Sequence, residues 1–182
     1  MLYQIQEAEG GILFIDEAYR LMPLQKSDDK DYGLEALEEI MSVMDSGSIV
    51  VIFAGYAEPM KRVISCNEGF SRRVTKFFYF EDFSTKELAE ITCLKMNDTN
   101  EESVMYGFHL DKECTIEAIA QLLDEETTEK QRKNLNGGLA WPMLVNAREH
   151  LDYRMELDCC DMKELITITM NDLRMGLRLL TA

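Results

Sequence analysis

The segment Gly10–Tyr19, which reads Gly-Gly-Ile-Leu-Phe-Ile-Asp-Glu-Ala-Tyr, constrains the fold more than any other part of this sequence. Its short apolar run, Ile12–Ile15, follows two glycines and ends in two adjacent carboxylates, Asp16 and Glu17. Such a run is typical of a strand that is buried on both faces of a parallel sheet. Ligands of open α/β sheets bind at the carboxyl ends of the strands, so we expect both carboxylates to face a ligand crevice.

Two neighbouring acids in this position can divide one chemical task. One acid holds a hydrated magnesium ion, while the other orients and deprotonates a water molecule. This is the Walker B arrangement of nucleoside triphosphatases. The alternative is structural, because a strand followed by the acidic N-cap of a helix gives the same pattern. The residues alone favour the Walker B interpretation and leave the N-cap open.

The charge and the cysteines limit the classes of function. The 182 residues carry a formal net charge of -15, which argues against a general nucleic-acid binder, although one local basic site is compatible with it. Five cysteines and two histidines fall at no zinc-ligand spacing, so we expect reduced thiols and no structural metal. We find no signal peptide and no membrane-spanning run in the sequence. These features predict a soluble intracellular protein of the cytoplasm or an organelle, without nucleic-acid or membrane partners.

The pattern that follows the first strand predicts a parallel βαβ unit. A stripe of apolar residues at helical spacing runs through residues 33–45, and a second buried-strand pattern covers Ile49–Ala54. A third apolar strand is predicted at Phe77–Phe80. We therefore expect an α/β fold class with a partial parallel sheet in residues 1–82.

Residues 83–182 show helical periods instead, and we expect an all-α unit of four helices there. Ser84–Glu87 forms a capping box that opens the first of these helices. The other helices are predicted at Asp111–Glu125, at Leu139–Met155 and after Thr169–Asp172.

Three blocks of the sequence, Gly10–Tyr19, Val51–Met60 and Asn67–Arg73, together resemble a known family. In order and separation they are similar to the AAA+ ATPases of the CbbX and stage V sporulation protein K group. The resemblance implies that residues 1–82 are the C-terminal half of the nucleotide-binding P-loop NTPase subdomain, and that residues 83–182 are the helical lid. It also implies ATP and Mg²⁺ as cofactors, a homo- or hetero-oligomeric ring, and chaperone-like remodelling of an unidentified protein substrate.

The same resemblance implies roles for individual residues. Asp16 would hold Mg²⁺ through water, and Glu17 would polarise the attacking water. Arg73 would be the arginine finger that reaches a neighbouring subunit, and Arg72 would be its helper or an interface residue. Tyr56 stands where related proteins place the sensor 1 asparagine, or is a tyrosine half-buried at a strand end.

Two departures from the family pattern affect the expected activity. The phosphate-binding motif G-x-x-x-x-G-K-[ST] does not occur in these 182 residues. Trp141 occupies the position of the sensor 2 arginine, and Arg148 would replace that arginine only in a shifted lid. A surface ion pair is the expected role of Arg148. We therefore expect weak or no ATP hydrolysis by this chain alone.

Three interpretations of the whole chain remain open at this point. The first is a fragment of a complete ATPase. The second is a non-catalytic subunit that joins a ring of intact relatives and supplies Arg73 in trans. The third is a helical interaction module with a vestigial sheet. In each of them we expect an exposed apolar edge on the partial sheet.

Overall fold

The computed structural model describes residues 2–22, 32–98, 100–155 and 161–181. The contacts divide the chain into two compact units, Met1–Phe80 and Glu81–Ala182. We treat each unit separately.

The first unit contains a two-stranded parallel sheet and helices that pack on it. The strands pair in register, with Ile12 opposite Val50 and Ile15 opposite Phe53. The predicted parallel pairing is therefore confirmed. In chain order the elements are α1 (Leu2–Glu7), β1 (Ile12–Ile15), a 3-10 turn (Ala18–Leu21), α2 (Tyr32–Ser46), β2 (Val50–Phe53), α3 (Ala57–Cys66) and α4 (Glu68–Arg73).

The prediction that the strands are buried on both faces is wrong for the described part of the chain. One face packs against a core built on Ile5, Ile40 and Ile49, which come from α1, α2 and the residue before β2. The opposite face leaves its apolar side chains exposed, with Ile12 at 62% and Phe14 at 60%. Helices from the described residues cover only one side, so the side chains alternate between buried and exposed.

The predicted strand at Phe77–Phe80 is also wrong. These residues form no regular element, and their side chains are exposed, Phe80 at 97%. A strand needs a neighbouring strand to satisfy its backbone groups, and local aromatic composition does not supply one. Among the described residues, β1 and β2 pair only with each other.

The second unit is mostly helical, and its four longer helices confirm the predicted four-helix pattern. The expectation of an all-α unit is wrong, because the unit also contains a small parallel pair of strands. Sequence reasoning missed these strands and two short helices, at Glu129–Leu135 and at Met162–Leu165. The elements are α5 (Thr85–Met96), β3 (His109–Leu110), α6 (Ile116–Glu126), α7 (Glu129–Leu135), a 3-10 turn (Asn136–Leu139), α8 (Ala140–Arg154), α9 (Met162–Leu165), β4 (Thr167–Ile168) and α10 (Met170–Thr181).

Capping residues fix where two of these helices begin. The predicted capping box of α5 is confirmed, because the Ser84 amide donates to Glu87 Oε2 at 2.8 Å and the Glu87 amide donates to Ser84 Oγ at 3.3 Å. Thr128 and Gln131 form a second capping box at the start of α7. The Thr-x-x-Gln spacing of Thr128 and Gln131 is a local pattern that predicts the start of this helix, which sequence reasoning missed.

Helices α8 and α10 approach each other closely at Gly176. A Cβ atom placed on Gly176 would lie 2.5 Å from the Met143 carbonyl oxygen and 2.6 Å from the Ala147 amide nitrogen. The side-chain amide of Asn146 also donates to the Gly176 carbonyl at 3.1 Å. The contact requires glycine because the obstructing atoms belong to the backbone of α8.

We predict that Gly176→Ala lowers the free energy of unfolding of the second unit by about 1–3 kcal/mol, because the helices must separate to admit the methyl group. Trp141 is the single tryptophan of the chain and lies in α8, so its fluorescence during urea titration reports on this unit. Gly138→Ala is the matched control, since its Cβ would meet no atom within 4 Å. Equal effects of the two substitutions would contradict the proposed close contact.

Candidate functional site

The carboxyl ends of β1 and β2 lie side by side and bring two predicted segments together. The ladder continues past the strands, with the Ala54 amide donating to the Ile15 carbonyl at 2.8 Å and the Ala18 amide donating to the Ala54 carbonyl at 2.9 Å. Asp16 and Tyr56 therefore follow paired strand ends at the same edge of the sheet.

The backbone at the two acids is unusual. Asp16 is exposed, and its Oδ1 accepts the amide of Glu17 at 2.8 Å. Glu17 adopts the left-handed conformation, with φ 49° and ψ 40°. For a residue with a Cβ atom, this conformation is less favourable by roughly 1–2 kcal/mol of free energy. Glu17 makes no side-chain cap to the 3-10 turn that follows, so the acidic N-cap interpretation does not describe this turn.

The Glu17 carboxylate is held by its own neighbours in the chain. Arg20 forms an ion pair with it, and the side chain of Glu17 is 33% exposed. The hydrogen bond to Glu17, followed by burial, raises the pKa of the Tyr19 hydroxyl. These contacts orient the carboxylate while leaving part of it open to solvent.

Tyr56 completes what we call the strand-end cluster, which consists of Asp16, Glu17, Tyr19, Arg20 and Tyr56. The rings of Tyr19 and Tyr56 lie 6.3 Å apart at an interplanar angle of 40°. Tyr56 is 72% exposed, so the alternative of a half-buried tyrosine is wrong.

Arg73, the last residue of α4, is held within its own chain. Its Nε donates to Asp45 Oδ1 at 2.8 Å, its Nη2 to Asp45 Oδ2 at 2.5 Å, and its Nη1 to the Gly69 carbonyl at 2.9 Å. Among the described residues, neither a hydrogen bond nor an ion pair joins Arg73 to Asp16 or Glu17.

Arg72 differs from its neighbour in exposure and contacts. It is exposed, and its Nε makes a single long hydrogen bond, 3.3 Å, to the Glu68 carbonyl of the same helix. The two arginines therefore differ: a carboxylate fixes Arg73, whereas none of the described carboxylates contacts Arg72.

In the second unit, Trp141 lies in the first turn of α8 and is 36% exposed. The expected surface ion pair of Arg148 is not formed with any of the described residues. Its Nη1 donates to the Val104 carbonyl at 2.5 Å, and its guanidinium lies 4.7 Å from the centre of the Phe108 ring. Arg148 therefore connects α8 to the loop before β3. These contacts do not place it in the role of the sensor 2 arginine.

The predicted cap at Thr169–Asp172 is confirmed by reciprocal hydrogen bonds between these two residues, but sequence reasoning missed that the Asp172 carboxylate is buried. Asp172 is fully buried and accepts hydrogen bonds from His150 Nδ1 at 2.7 Å, from Arg154 Nε at 2.8 Å and from the Thr169 amide at 2.8 Å. Only Thr169 lies near Asp172 in sequence, so the local pattern does not predict the contacts to His150 and Arg154. Because protein groups saturate both oxygens, we interpret Asp172 as structural.

Burial and hydrogen bonding act on the Asp172 carboxyl in opposite directions. Burial raises its pKa, but the hydrogen bonds from Arg154, Thr169 and His150 together outweigh this effect and hold the pKa below its usual range. The carboxylate is therefore charged and paired at neutral pH.

The described cysteines do not indicate reactive thiols. Cys93 and Cys114 are both unpaired, and burial raises the pKa of Cys114 to about 11. Such a pKa makes a thiolate rare at neutral pH. The adjacent pair Cys159 and Cys160 lies outside the described residues.

The described residues contain no group of three or more His, Cys, Asp or Glu side chains arranged to bind a metal. Within the same ranges, none of the helices has the length and apolar character needed to traverse a bilayer.

Comparison with curated proteins supports the resemblance drawn from the motifs. Protein CbbX of Cereibacter sphaeroides is 41% identical over 98 residues, which are 53% of this chain and 31% of that protein. A Protein CfxQ homolog of Trieres chinensis is 29% identical over 171 residues, which are 93% of this chain and 56% of that protein. The chloroplastic ribulose bisphosphate carboxylase/oxygenase activase of Cyanidioschyzon merolae is 41% identical over 96 residues, or 52% of this chain and 31% of that protein.

These relatives confirm the predicted resemblance to the CbbX group. The matched part spans between 31% and 56% of the length of these curated relatives. More narrowly, the chain belongs to the family described as "Domain of unknown function (DUF8495)", whose profile matches residues 82–181. That match falls on the helical second unit.

We predict that Glu17→Gly leaves the first unit more stable than Glu17→Ala does, by about 1 kcal/mol, because only glycine adopts the left-handed conformation without strain. Both variants lose the contacts to Tyr19 and Arg20, so the difference isolates the backbone. Amide hydrogen exchange at Ala18 and Ala54, which are paired across the strand ends, measures the difference. Slower exchange in the alanine variant would show that Glu17 is not strained.

We also predict that Asp172→Asn lowers the free energy of unfolding at pH 7 by about 2 kcal/mol, since charge-assisted hydrogen bonds are lost. The lowered pKa of Asp172 means that its stabilisation is complete above the unfolded pKa of about 3.9 and is lost as the pH falls through the folded value. The difference from wild type should therefore stay constant from pH 7 to about pH 5 and shrink progressively as the pH falls further towards 3.

Urea titrations followed by Trp141 fluorescence measure this pH dependence. Asp152→Asn is the control, because Asp152 is an exposed acid on α8, the helix that carries His150 and Arg154. A difference that stays constant down to pH 3 would contradict the lowered pKa of Asp172.

Proposed function

We propose that this chain carries the Walker B, arginine-finger and lid portion of an AAA+ ATPase module that remodels a protein substrate. The observation that carries the proposal is the pair Asp16 and Glu17. Both lie at the carboxyl edge of a parallel strand pair, and Glu17 has a strained backbone. Strain of this kind is concentrated at functional sites. The similarity to proteins named CbbX and CfxQ supports the same assignment.

Asp16 fits a role in holding hydrated Mg²⁺. Magnesium favours one or two carboxylates and keeps several of its waters, so a lone exposed acid is sufficient for it. The Glu17 amide bonds one oxygen of Asp16 and orients the carboxylate. Bound ATP with Mg²⁺ would supply the phosphoryl group and the charge that the reaction needs.

Glu17 fits the role of a general base for a water molecule. Its carboxylate is partly exposed, and Arg20 and Tyr19 fix its direction. A base must lie within hydrogen-bond reach of the proton it removes, so fixed orientation favours this task. Tyr56 stands beside it at the sensor 1 position and contributes an exposed ring to the strand-end cluster.

Arg73 would act on the site of a neighbouring subunit, with Arg72 as its helper in the same interface. In this proposal residues 1–82 are part of the nucleotide-binding subdomain, residues 83–182 are the lid, and subunits assemble in a ring. Trp141 takes the sensor 2 position without a guanidinium. We therefore expect this chain to hydrolyse ATP weakly or not at all when it is alone.

A second candidate is a non-catalytic subunit that joins a ring of intact relatives and lends Arg73 to them. One observation favours it: Arg73 is held in place by three hydrogen bonds. By the family resemblance, Tyr56 and Trp141 would replace the polar residues expected at the two sensor positions. Both candidates assign the same task to Arg73, and mixing with an intact relative tests that task directly.

We predict that adding this chain to Protein CbbX of Cereibacter sphaeroides changes the ATPase rate of that protein. We expect Arg73→Ala to reduce this change by about tenfold or more, because arginine fingers contribute at least that much to phosphoryl transfer. The measurement is steady-state ATP hydrolysis in titrations, with co-assembly checked by size-exclusion chromatography. Arg62→Ala, an exposed arginine on α3, is the matched control.

Two outcomes would count against this proposal. If the proteins co-assemble and the ATPase rate is unchanged, Arg73 does not act as an arginine finger. An Arg73→Ala variant that behaves as wild type would reject the same role. Turnover of ATP by this chain alone that depends on Glu17 would instead overturn the expectation that it is inactive in isolation.

A further inference from the structure

The carboxylate of Asp45 has no role in the motifs described so far, yet it makes the closest contact to Arg73. Asp45 lies in the last turn of α2, 28 residues before Arg73. Its two oxygens accept from Nε and Nη2 in a bidentate fork at 2.8 and 2.5 Å. Bidentate carboxylate–guanidinium pairs fix direction as well as distance.

The backbone of α4 adds a second restraint on the same guanidinium. Arg73 Nη1 donates to the Gly69 carbonyl one turn earlier in the helix. A Cβ atom on Gly69 would lie 3.1 Å from Arg73 Nη1 and 3.0 Å from Asn67 Oδ1. Glycine at this position therefore allows the arginine to fold back along the helix.

The helix that carries Arg73 is itself anchored to the sheet. Phe70 is fully buried, and its ring meets Phe53 of β2 edge-on at 4.9 Å. The Asn67 side chain caps the helix by accepting the Phe70 amide at 2.9 Å. The position of the Arg73 backbone is thus fixed independently of Asp45.

The fork leaves part of the guanidinium available. Arginine carries five N–H donors, and the contacts to described residues use one on each of the three nitrogens. One donor on Nη1 and one on Nη2 therefore have no partner among the described residues. The Arg73 side chain is 31% exposed and the Asp45 side chain 58% exposed. An ion pair this exposed contributes little to the free energy of unfolding. We therefore interpret the Asp45 carboxylate as a group that orients the Arg73 side chain.

We propose that Asp45 is a positioning residue that directs the two remaining donors of Arg73 towards the phosphate group of a nucleotide in a neighbouring subunit. The inference rests on the proposed function, because it assumes that Arg73 acts in trans. Catalysis by a charged group depends on donors that are aimed before the reaction begins. A guanidinium without Asp45 would keep its charge and lose its fixed direction.

The test uses the mixed assembly with Protein CbbX of Cereibacter sphaeroides. We expect Asp45→Ala to reduce the change in kcat about tenfold or more, while KM for ATP and co-assembly stay as in wild type. Asp45→Glu keeps the carboxylate and should restore part of the effect. Glu38→Ala removes an exposed acid from the same helix and serves as the control.

A double variant separates positioning from general damage. In an Arg73→Ala background, Asp45→Ala should cause no further loss, because its only route to the reaction is through that arginine. An additional loss in the double variant, or a loss of co-assembly in Asp45→Ala, would show a structural role and overturn the inference. An increased rate in Asp45→Ala would overturn it too, since the carboxylate would then be restraining the arginine.

Failure of this inference is distinguishable from failure of the proposed function. If Arg73→Ala abolishes the effect while Asp45→Ala behaves as wild type, only the positioning role is wrong. If Arg73→Ala has no effect, the arginine-finger assignment is wrong, and the role of Asp45 is rejected with it.

Discussion

The parallel pairing of β1 with β2 determines where the candidate residues of the first unit lie. Side chains alternate along a strand, so a slip of one residue would exchange the buried and exposed faces. The observed register places Ile15 opposite Phe53, and the next residues of both strands leave the sheet at one edge. Asp16, Glu17 and Tyr56 are neighbours for this reason, although Tyr56 lies far from the acids in sequence. The site depends on the pairing more than on any contact among its own side chains.

Carboxylates in this chain lie in two contrasting environments, and this contrast distinguishes candidate site residues from structural ones. Asp172 is fully buried, and four protein groups or more donate to it. Asp16 is exposed and, among the described residues, accepts one hydrogen bond, from the amide of Glu17. A saturated carboxylate has no capacity left for a ligand, whereas a lone exposed one retains it. Glu17 lies between these extremes, since Arg20 and Tyr19 hold a side chain that remains partly open.

Local patterns in the sequence predicted much of the fold. They failed where the structure of a segment depends on residues that are distant in sequence. The apolar run Ile12–Ile15 and the capping box at Ser84 are local signals, and both elements formed as predicted. Burial of both sheet faces and a strand at Phe77–Phe80 require neighbouring elements that local composition does not specify. The candidate residues were identifiable from motifs, but their partners were not. The carboxylate that binds Arg73 lies 28 residues away, and no periodicity links the two positions.

The arrangement of the second unit has a consequence for how it is made in the cell. Two C-terminal elements of the unit pack on partners that are translated earlier: Gly176 of α10 meets the backbone of α8, and Ile168 of β4 pairs with Leu110 of β3. A nascent chain that stops before residue 167 has α5, α6 and α8 but exposes the apolar surface that α10 would cover. The core of this unit is therefore completed only when Leu173 and Leu177 of α10 have been added, and the incomplete unit exposes apolar surface that favours aggregation.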